Sequence, residues 1–338
     1  MVAEFNLKRD VLQKGLCTLC GACMDGCPYL KNIADHLVMP FQCSAGEGRC
    51  LAVCPCLPTD WEDVRKRFLG DSAADPDIGV IAGVYKVRAK HPISRCQNGG
   101  TVSALLAYGM DAGLGESALL TRSSGGLEPE PFWAKSPEDI QEAAGSKYFA
   151  AGSLRLLNDR HRQWDKPVMV VGRPCQIRAL RKIQIHEQST GHTSPVLSIG
   201  LFCTWQLSWS FGDFLAQEFP GKKVQRIAIS LQGLEVDFGE GPQPVSMDGV
   251  RAHMRSACHY CLDMTAELAD IAVGAFEQEA GWNTLIVRSK AGMDWFEGAK
   301  NRGDLLVAAY PEAELQRLKA AAHNKARRGL EKIRSEAV

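Results

Sequence analysis

The sequence predicts an α/β (α+β) body with a cysteine-rich module at its amino end and a helical tail at its carboxyl end. Three observations predict it. Eight of the 13 cysteines crowd between Cys17 and Cys56. Strand-like apolar runs alternate with a helical stripe from Val80 onward. Apolar residues then recur at helical spacing after Pro311.

The 338 residues are enough to bury more than one core, and 45% hydrophobic with 23% charged residues is ordinary globular composition. Lys+Arg and Asp+Glu both number 39. A chain without a basic surplus is not built for general nucleic-acid or anionic-membrane binding. The first ten residues carry Glu4, Lys8, Arg9 and Asp10 and no apolar stretch, and no run approaches about 18 apolar residues. The chain is therefore expected to be cytoplasmic, with no membrane span. In that setting clustered cysteines point to metal rather than to disulfides.

Within residues 1–70, Cys17-x2-Cys20-x2-Cys23-x3-Cys27-Pro28 has the spacing of a bacterial ferredoxin run. Three cysteines two residues apart wrap one corner of a cubane, and the fourth points away to a second cluster. Cys50-x3-Cys54-Pro55 matches the end of such a motif, with Cys43 upstream. By that logic Cys17, Cys20, Cys23 and Cys54 hold one [4Fe–4S] cluster, and Cys27, Cys43 and Cys50 hold a second. Gly46 stands where regular spacing would put another cysteine. Either Cys56 supplies the fourth thiolate, or the cluster is three-iron, or a non-cysteine ligand or open iron site is used. Zinc is the competing metal.

The polar, small stretch Asp71–Asp77 reads as a linker, and Val80–Val87 as the first strand of the body. Gly99-Gly100 precedes a helix whose Val102, Leu105, Leu106 and Met110 share one face, closed by Gly113 and Gly115. Pro167–Val171 and Pro195–Phe202 read as strands, the first leaving through Gly172-Arg173-Pro174-Cys175 and the second ending at Cys203. Further strands are expected at 226–230, 234–238, 271–273 and 284–287. The tail, with Leu315, Leu318, Ala322 and Lys325 along it, reads as a solvated helix or a docking helix. Cys258-His259-Tyr260-Cys261 alone suits a dithiol, half a zinc site or half a cluster site. Cys175 and Cys203 lie at strand ends that a parallel sheet would bring to one edge. The four thiols are then either a third cluster site or buried structural cysteines.

At this point the chain resembles the coenzyme F420 hydrogenase/dehydrogenase β-subunit family. The resemblance rests on ordered segments: Cys96-Gln97-Asn98-Gly99-Gly100-Thr101, Ala144-Gly145-Ser146-Lys147-Tyr148, Gly172-Arg173-Pro174-Cys175-Gln176, Gly200-Leu201-Phe202-Cys203, Cys258–Gly274 and Gly281-Trp282-Asn283-Thr284. It implies an FAD-binding α/β core with an attached ferredoxin-like iron–sulfur domain. Residues 78–165 and 166–305 would be the core's amino and carboxyl parts, with 306–338 the helical tail. It implies a [4Fe–4S] cluster on Cys175, Cys203, Cys258 and Cys261, two or three clusters in all. FAD would lie against Gln97, Asn98, Gly99 and Gly100 and against Ser146, Lys147 and Tyr148. Glycines at a helix start suit close approach of a pyrophosphate, and Lys147 a phosphate or flavin anion. Asn98 stands where the family usually has Asp, and Cys96 has no assigned role.

The function so implied is an iron–sulfur flavoprotein oxidoreductase. It relays electrons between FAD, with reduced coenzyme F420 as a candidate hydride source, and the clusters. Its partners would be subunits of hydrogenase, formate-dehydrogenase or heterodisulfide-reductase type, or ferredoxin. A self-contained, ferredoxin-dependent reductase of an organic, chlorophyll-type substrate is the second reading, and a colourless zinc scaffold the third. The scattered histidines His91, His161, His186 and His192 form no catalytic triad. Asp263, Glu267 and Asp270 recur near the last cysteines, in tuning, proton-transfer, solvated or capping roles.

Overall fold

Alternation within one apolar run decides the architecture. Met169 and Val170 are both fully buried. Met169 joins the apolar cluster on one face of the sheet and Val170 the cluster on the other, as successive strand residues must. A strand buried on both faces belongs at the centre of a sheet. The computed structural model describes all residues except 1–4, 42, 44–46, 92, 124–126, 159–166, 191–195, 231–232 and 337–338.

The main sheet has eight strands: β1 Gly83–Ala89, β2 Ala118–Ser123, β3 Pro129–Ala134, β4 Val168–Gly172, β5 Val196–Leu201, β6 Ile271–Ala275, β7 Asn283–Val287 and β8 Leu305–Ala309. Their order is β8-β1-β7-β6-β5-β4-β2-β3. The centre, β2, β4, β5 and β6, is parallel, and both flanks are antiparallel. The sheet is thus mixed. Because β4 and β5 pair in parallel, their carboxyl ends share an edge, as the sequence predicts for Cys175 and Cys203.

Helices α1 (Thr101–Asp111) and α3 (Lys290–Arg302) cover one face. Trp295 of α3 is fully buried and donates its indole N–H to the Leu105 carbonyl of α1 at 2.8 Å. Helix α2 (Pro174–Ser189) covers the other face with Ile177, Leu180 and Ile183. Each such side chain contributes about 1.5–3 kcal/mol on burial. A satellite antiparallel sheet, Arg226–Ser230, Gly233–Asp237 and Pro242–Val245, packs its own apolar cluster around Leu207, Phe211 and Val236.

The cysteine module sits on the α2 side, where Cys20, Ala22, Val53 and Val64 share a cluster with Ile177 and Leu180. Buried Arg255 reaches Asp35 Oδ2 at 2.7 Å and the Asp35 carbonyl at 2.9 Å. Asn158 donates to the Ala22 carbonyl at 2.9 Å and to that of Met24 at 2.6 Å.

The stretch Asp71–Asp77 is not a free linker. Ala74–Asp75 pairs with Gly79–Val80, and the Asp75 carboxylate accepts from the backbone N–H of Asp77 and Ile78. The same residues bind the tail helix α4 (Glu312–Glu336): Asp75 meets Lys319 at 2.7 Å, and Asp77 meets His323 at 2.9 Å. Its polarity serves these contacts rather than solvation. Nor is α4 solvated all round, since Ala322, Lys325 and Gly329 are buried. Among the described residues no helix is long and apolar enough to cross a membrane.

Candidate functional site

The thiols fall into three sets. Cys17, Cys20, Cys23 and Cys54 line one cavity together with Leu7, Val11, Leu12 and Leu37. Leu19, at φ 53°, and Gly21, at φ 94°, curl the backbone between the first three. The Leu19 N–H then donates to Cys17 and the Ala22 N–H to Cys20. Gly21 is pressed so close to the body that a Cβ there would lie 2.4 Å from the Gly152 carbonyl oxygen. Burial, then the charge of neighbouring thiols, raises the pKa of Cys23 well above the ordinary range. Such thiols surrender their protons only to a bound cation. An apolar cavity with converging soft donors suits an iron–sulfur cluster.

Cys27, Cys43 and Cys50 form the second set, with the Cys27 and Cys43 charges both acting on Cys50. Gly46 lies outside the described residues, as do His161 and His192. Cys56 is placed with the first set: its thiol donates to the Leu16 carbonyl at 3.0 Å, it lies beside Cys54, and it lines the same cavity. The Cys56 thiol and backbone N–H beside it bring Cys54 down to about 7.

Cys175, Cys203, Cys258 and Cys261 form the third set. Cys175 enters from the first turn of α2, Cys203 from the end of β5, and Cys258 and Cys261 from the turn Ser256–Tyr260 and its exit. Burial raises Cys203 to about 12 and Cys258 to about 11, with the neighbouring thiols adding to the effect. The Arg173 and Lys325 charges act on both Cys175 and Cys203 in the opposite sense. Two cations beside four thiols fit an anionic cluster. Among the described residues no three Cys, His, Asp or Glu side chains group tightly enough to hold a single metal ion.

The sets adjoin. Thr18, between Cys17 and Cys20, lies beside Cys175, and Cys17 and Cys20 both feel the Cys175 charge. The N–H of Leu154 bonds the Cys20 carbonyl at 3.1 Å.

The two expected flavin segments also meet. Gln97 donates to the Tyr148 hydroxyl at 2.7 Å, and that hydroxyl accepts the Ile229 N–H at 3.2 Å. Gly99 is wedged against Asn283, Arg88 and Gly281, and Gly100, at φ 69°, starts α1. Asn283 already accepts from the Thr101 N–H and, at 2.8 Å, from its hydroxyl. Lys147 bonds the carbonyls of Ala143, Ala144 and Gly145, and burial lowers it to about 8. The Cys96 thiol donates to the Asn98 carbonyl. Among the described residues the Ser146 side chain makes no hydrogen bond. From Tyr148 a short path leads to the third set: its carbonyl accepts the Leu207 N–H at 2.9 Å, and the N–H of adjacent Gln206 donates to Cys258.

Of the acidic residues near the last cysteines, Asp263 and Asp270 are buried and Glu267 is half-buried. Asp270 bonds Arg181, Ser198 and Ser289. Burial would raise its pKa, but these partners hold it below the usual range. Asp263 faces Arg178 at 3.5 Å. Burial, then the Asp263 charge, pushes Glu267 up to about 7. The residue that sequence reasoning passed over is Lys325. It was visible as one more member of the helical stripe, and its burial against the third set carried no sequence signal.

The mixed α/β sheet and the grouped thiols place the molecule among redox-type proteins, and comparison with known proteins gives its kin. The chain belongs to the coenzyme F420 hydrogenase/dehydrogenase beta-subunit family: residues 84–158 match the family's N-terminal model and 165–313 its C-terminal model. It is 29% identical to the beta subunit of coenzyme F420 hydrogenase from Methanococcus voltae, over 60% of this chain and 75% of that protein. It is 26% identical to one of the subunits of the F(420)H(2) dehydrogenase of Methanosarcina mazei, over 90% of this chain and 88% of that protein. A chain in the F420-reducing [NiFe] hydrogenase complex from Methanosarcina barkeri superposes with TM-score 0.72 at 23% identity, over 78% of this chain and 95% of that one. That likeness is one of fold.

Proposed function

We propose that this chain is the beta-type subunit of a larger redox complex, an iron–sulfur flavoprotein that connects a two-electron cofactor to one-electron centres. The observation that carries the reading is the continuous stretch from Tyr148 to Asn158. It touches the expected flavin segment through Gln97, the third thiol set through Leu207 and Gln206, and the first thiol set through Leu154 and Asn158.

In this reading Cys17, Cys20, Cys23 and Cys54 hold one [4Fe–4S] cluster and Cys175, Cys203, Cys258 and Cys261 another. Cys27, Cys43 and Cys50 hold a third centre. FAD lies along the seam between the Gln97–Gly100 turn and the Ser146–Tyr148 segment. When bound, FAD supplies the exchange between two-electron and one-electron chemistry, and the clusters the one-electron steps. The protein's part is positional. Gln97 and Tyr148 fix the seam's two walls against each other, and Gly99 lets the backbone come close. Cys20 and Cys54 are buried, and the other thiols of the first and third sets are half-buried. Tyr29 and Phe41, each two residues from a thiol of the second set, are exposed. They suit that set as the meeting point with a partner subunit or ferredoxin. Reduced coenzyme F420 is the proposed hydride source, in keeping with the family.

Anaerobic purification with iron, acid-labile sulfide and flavin counts tests this, followed by mixing with reduced deazaflavin. Bound iron, sulfide and a yellow chromophore that is reduced by the deazaflavin are expected. Protein that holds neither sulfide nor flavin under those conditions overturns it.

A further inference from the structure

Lys325 is 4% exposed, on a helix whose other cations are exposed or half-buried. Its ammonium donates to the Cys203 carbonyl at 2.6 Å and to the Asp263 carbonyl at 2.7 Å, and the Cys261 thiol lies beside it. No carboxylate lies within ion-pair distance of it among the described residues. Asp263 turns its carboxylate instead to Arg178 and to the Glu267 N–H. Burying an ammonium is costly unless a negative charge meets it. Two carbonyls satisfy its protons but not its charge. What surrounds it is the third thiol set, which carries net negative charge when it holds a cluster.

We infer that Lys325 is the counter-ion of the cluster held by Cys175, Cys203, Cys258 and Cys261, and that through it helix α4 is locked over that cluster. The inference rests on the proposed third cluster. Gly329, one turn further on, makes the same approach by shape: a Cβ there would lie 2.7 Å from the Leu262 side chain and 3.1 Å from the Cys261 carbonyl oxygen. Lys325 is a positioning residue. One-electron reduction adds a negative charge to the cluster, and a fixed cation at hydrogen-bond range favours that state. Lys325 therefore raises the cluster's reduction potential relative to the same cage without it.

The test uses the full chain, reconstituted anaerobically, with redox titration followed by electron paramagnetic resonance. Wild type and Cys258→Ala are compared first. Equal iron content and equal spectra in those two would sink the third cluster itself, separately from the role of Lys325. Given that cluster, Lys325→Met is expected to shift its midpoint to a more negative potential while the first cluster's midpoint stays put, and Lys325→Arg to restore most of the shift. Loss of the cluster in Lys325→Met but not in Lys325→Arg also supports the charge role. An unmoved midpoint in Lys325→Met, or equal loss of the cluster in both variants, overturns the inference.

Discussion

Arg255 and Asp35 form a buried ion pair at 2.7 Å that ties the cysteine module to the α/β body. Arg255 also donates to the Cys17 carbonyl at 3.3 Å, so the pair reaches the loop that carries the first thiols. Removing one partner of such a pair leaves an uncompensated charge in the interior, at a cost of about 3–5 kcal/mol. Asp35→Ala is expected to lower thermal stability by that order, and limited proteolysis should then release the module first. Unchanged unfolding and cleavage would show that the pair does not seat the module.

The placement of Cys56 separates two kinds of cysteine variant. Cys50→Ala should lose iron from the second centre. Cys56→Ala should keep the full iron and sulfide content, because Cys56 stands beside Cys54 in the first set and not among Cys27, Cys43 and Cys50. Losing the thiol beside Cys54 should instead move the first cluster's midpoint. Loss of iron in Cys56→Ala, with the second centre's signal gone, would make Cys56 a ligand there.

Tyr148→Phe keeps the ring and removes the oxygen that receives both Gln97 and the Ile229 N–H. Two half-buried donors then lose that partner, at about 0.5–1.5 kcal/mol each. The variant is expected to hold about tenfold or more less flavin at equal iron content, read by absorbance against iron assay. Equal flavin occupancy would remove the seam from the flavin site.

Glu267 carries a pH signature. Its folded-state value of about 7 stands above its ordinary 4.5. Between those values the folded chain binds a proton that the unfolded chain does not, so stability falls as pH rises through that window and levels off above it. The integrated loss is about 3 kcal/mol. Glu267→Gln should flatten the profile of denaturant midpoint against pH over the same range, and an unaltered slope would assign the effect elsewhere.

Much of the body was legible because burial leaves period-2 traces. The runs that became β4, β5, β6 and β7 are unbroken or alternating apolar segments, and the parallel β4–β5 edge follows from them. β3 was not legible because Pro129 and Pro131 interrupt it; an edge strand tolerates them, since missing N–H groups there cost no ladder bond. The grouping of thiols could be read from spacing within the module, but the neighbourhood of Thr18 and Cys175 could not, because their separation along the chain carries no local pattern. The same holds for Asp75 and Lys319, which turned an expected linker into a seat for the tail. Asp270 and Glu267 look alike in sequence. Only their partners, Arg181 and serines for one and Asp263 for the other, send their acidities in opposite directions.

The contact of Gly21 with the Gly152 carbonyl has a kinetic meaning. Main chain against main chain leaves no compressible side chain between the thiol-bearing loop and the body, so with the proposed clusters in place the gap between them would be set by van der Waals contact rather than by a hinge. Long-range electron hopping decays steeply with separation. A methyl group at position 21 would therefore be felt as a slower internal transfer in a molecule whose cages are both still filled.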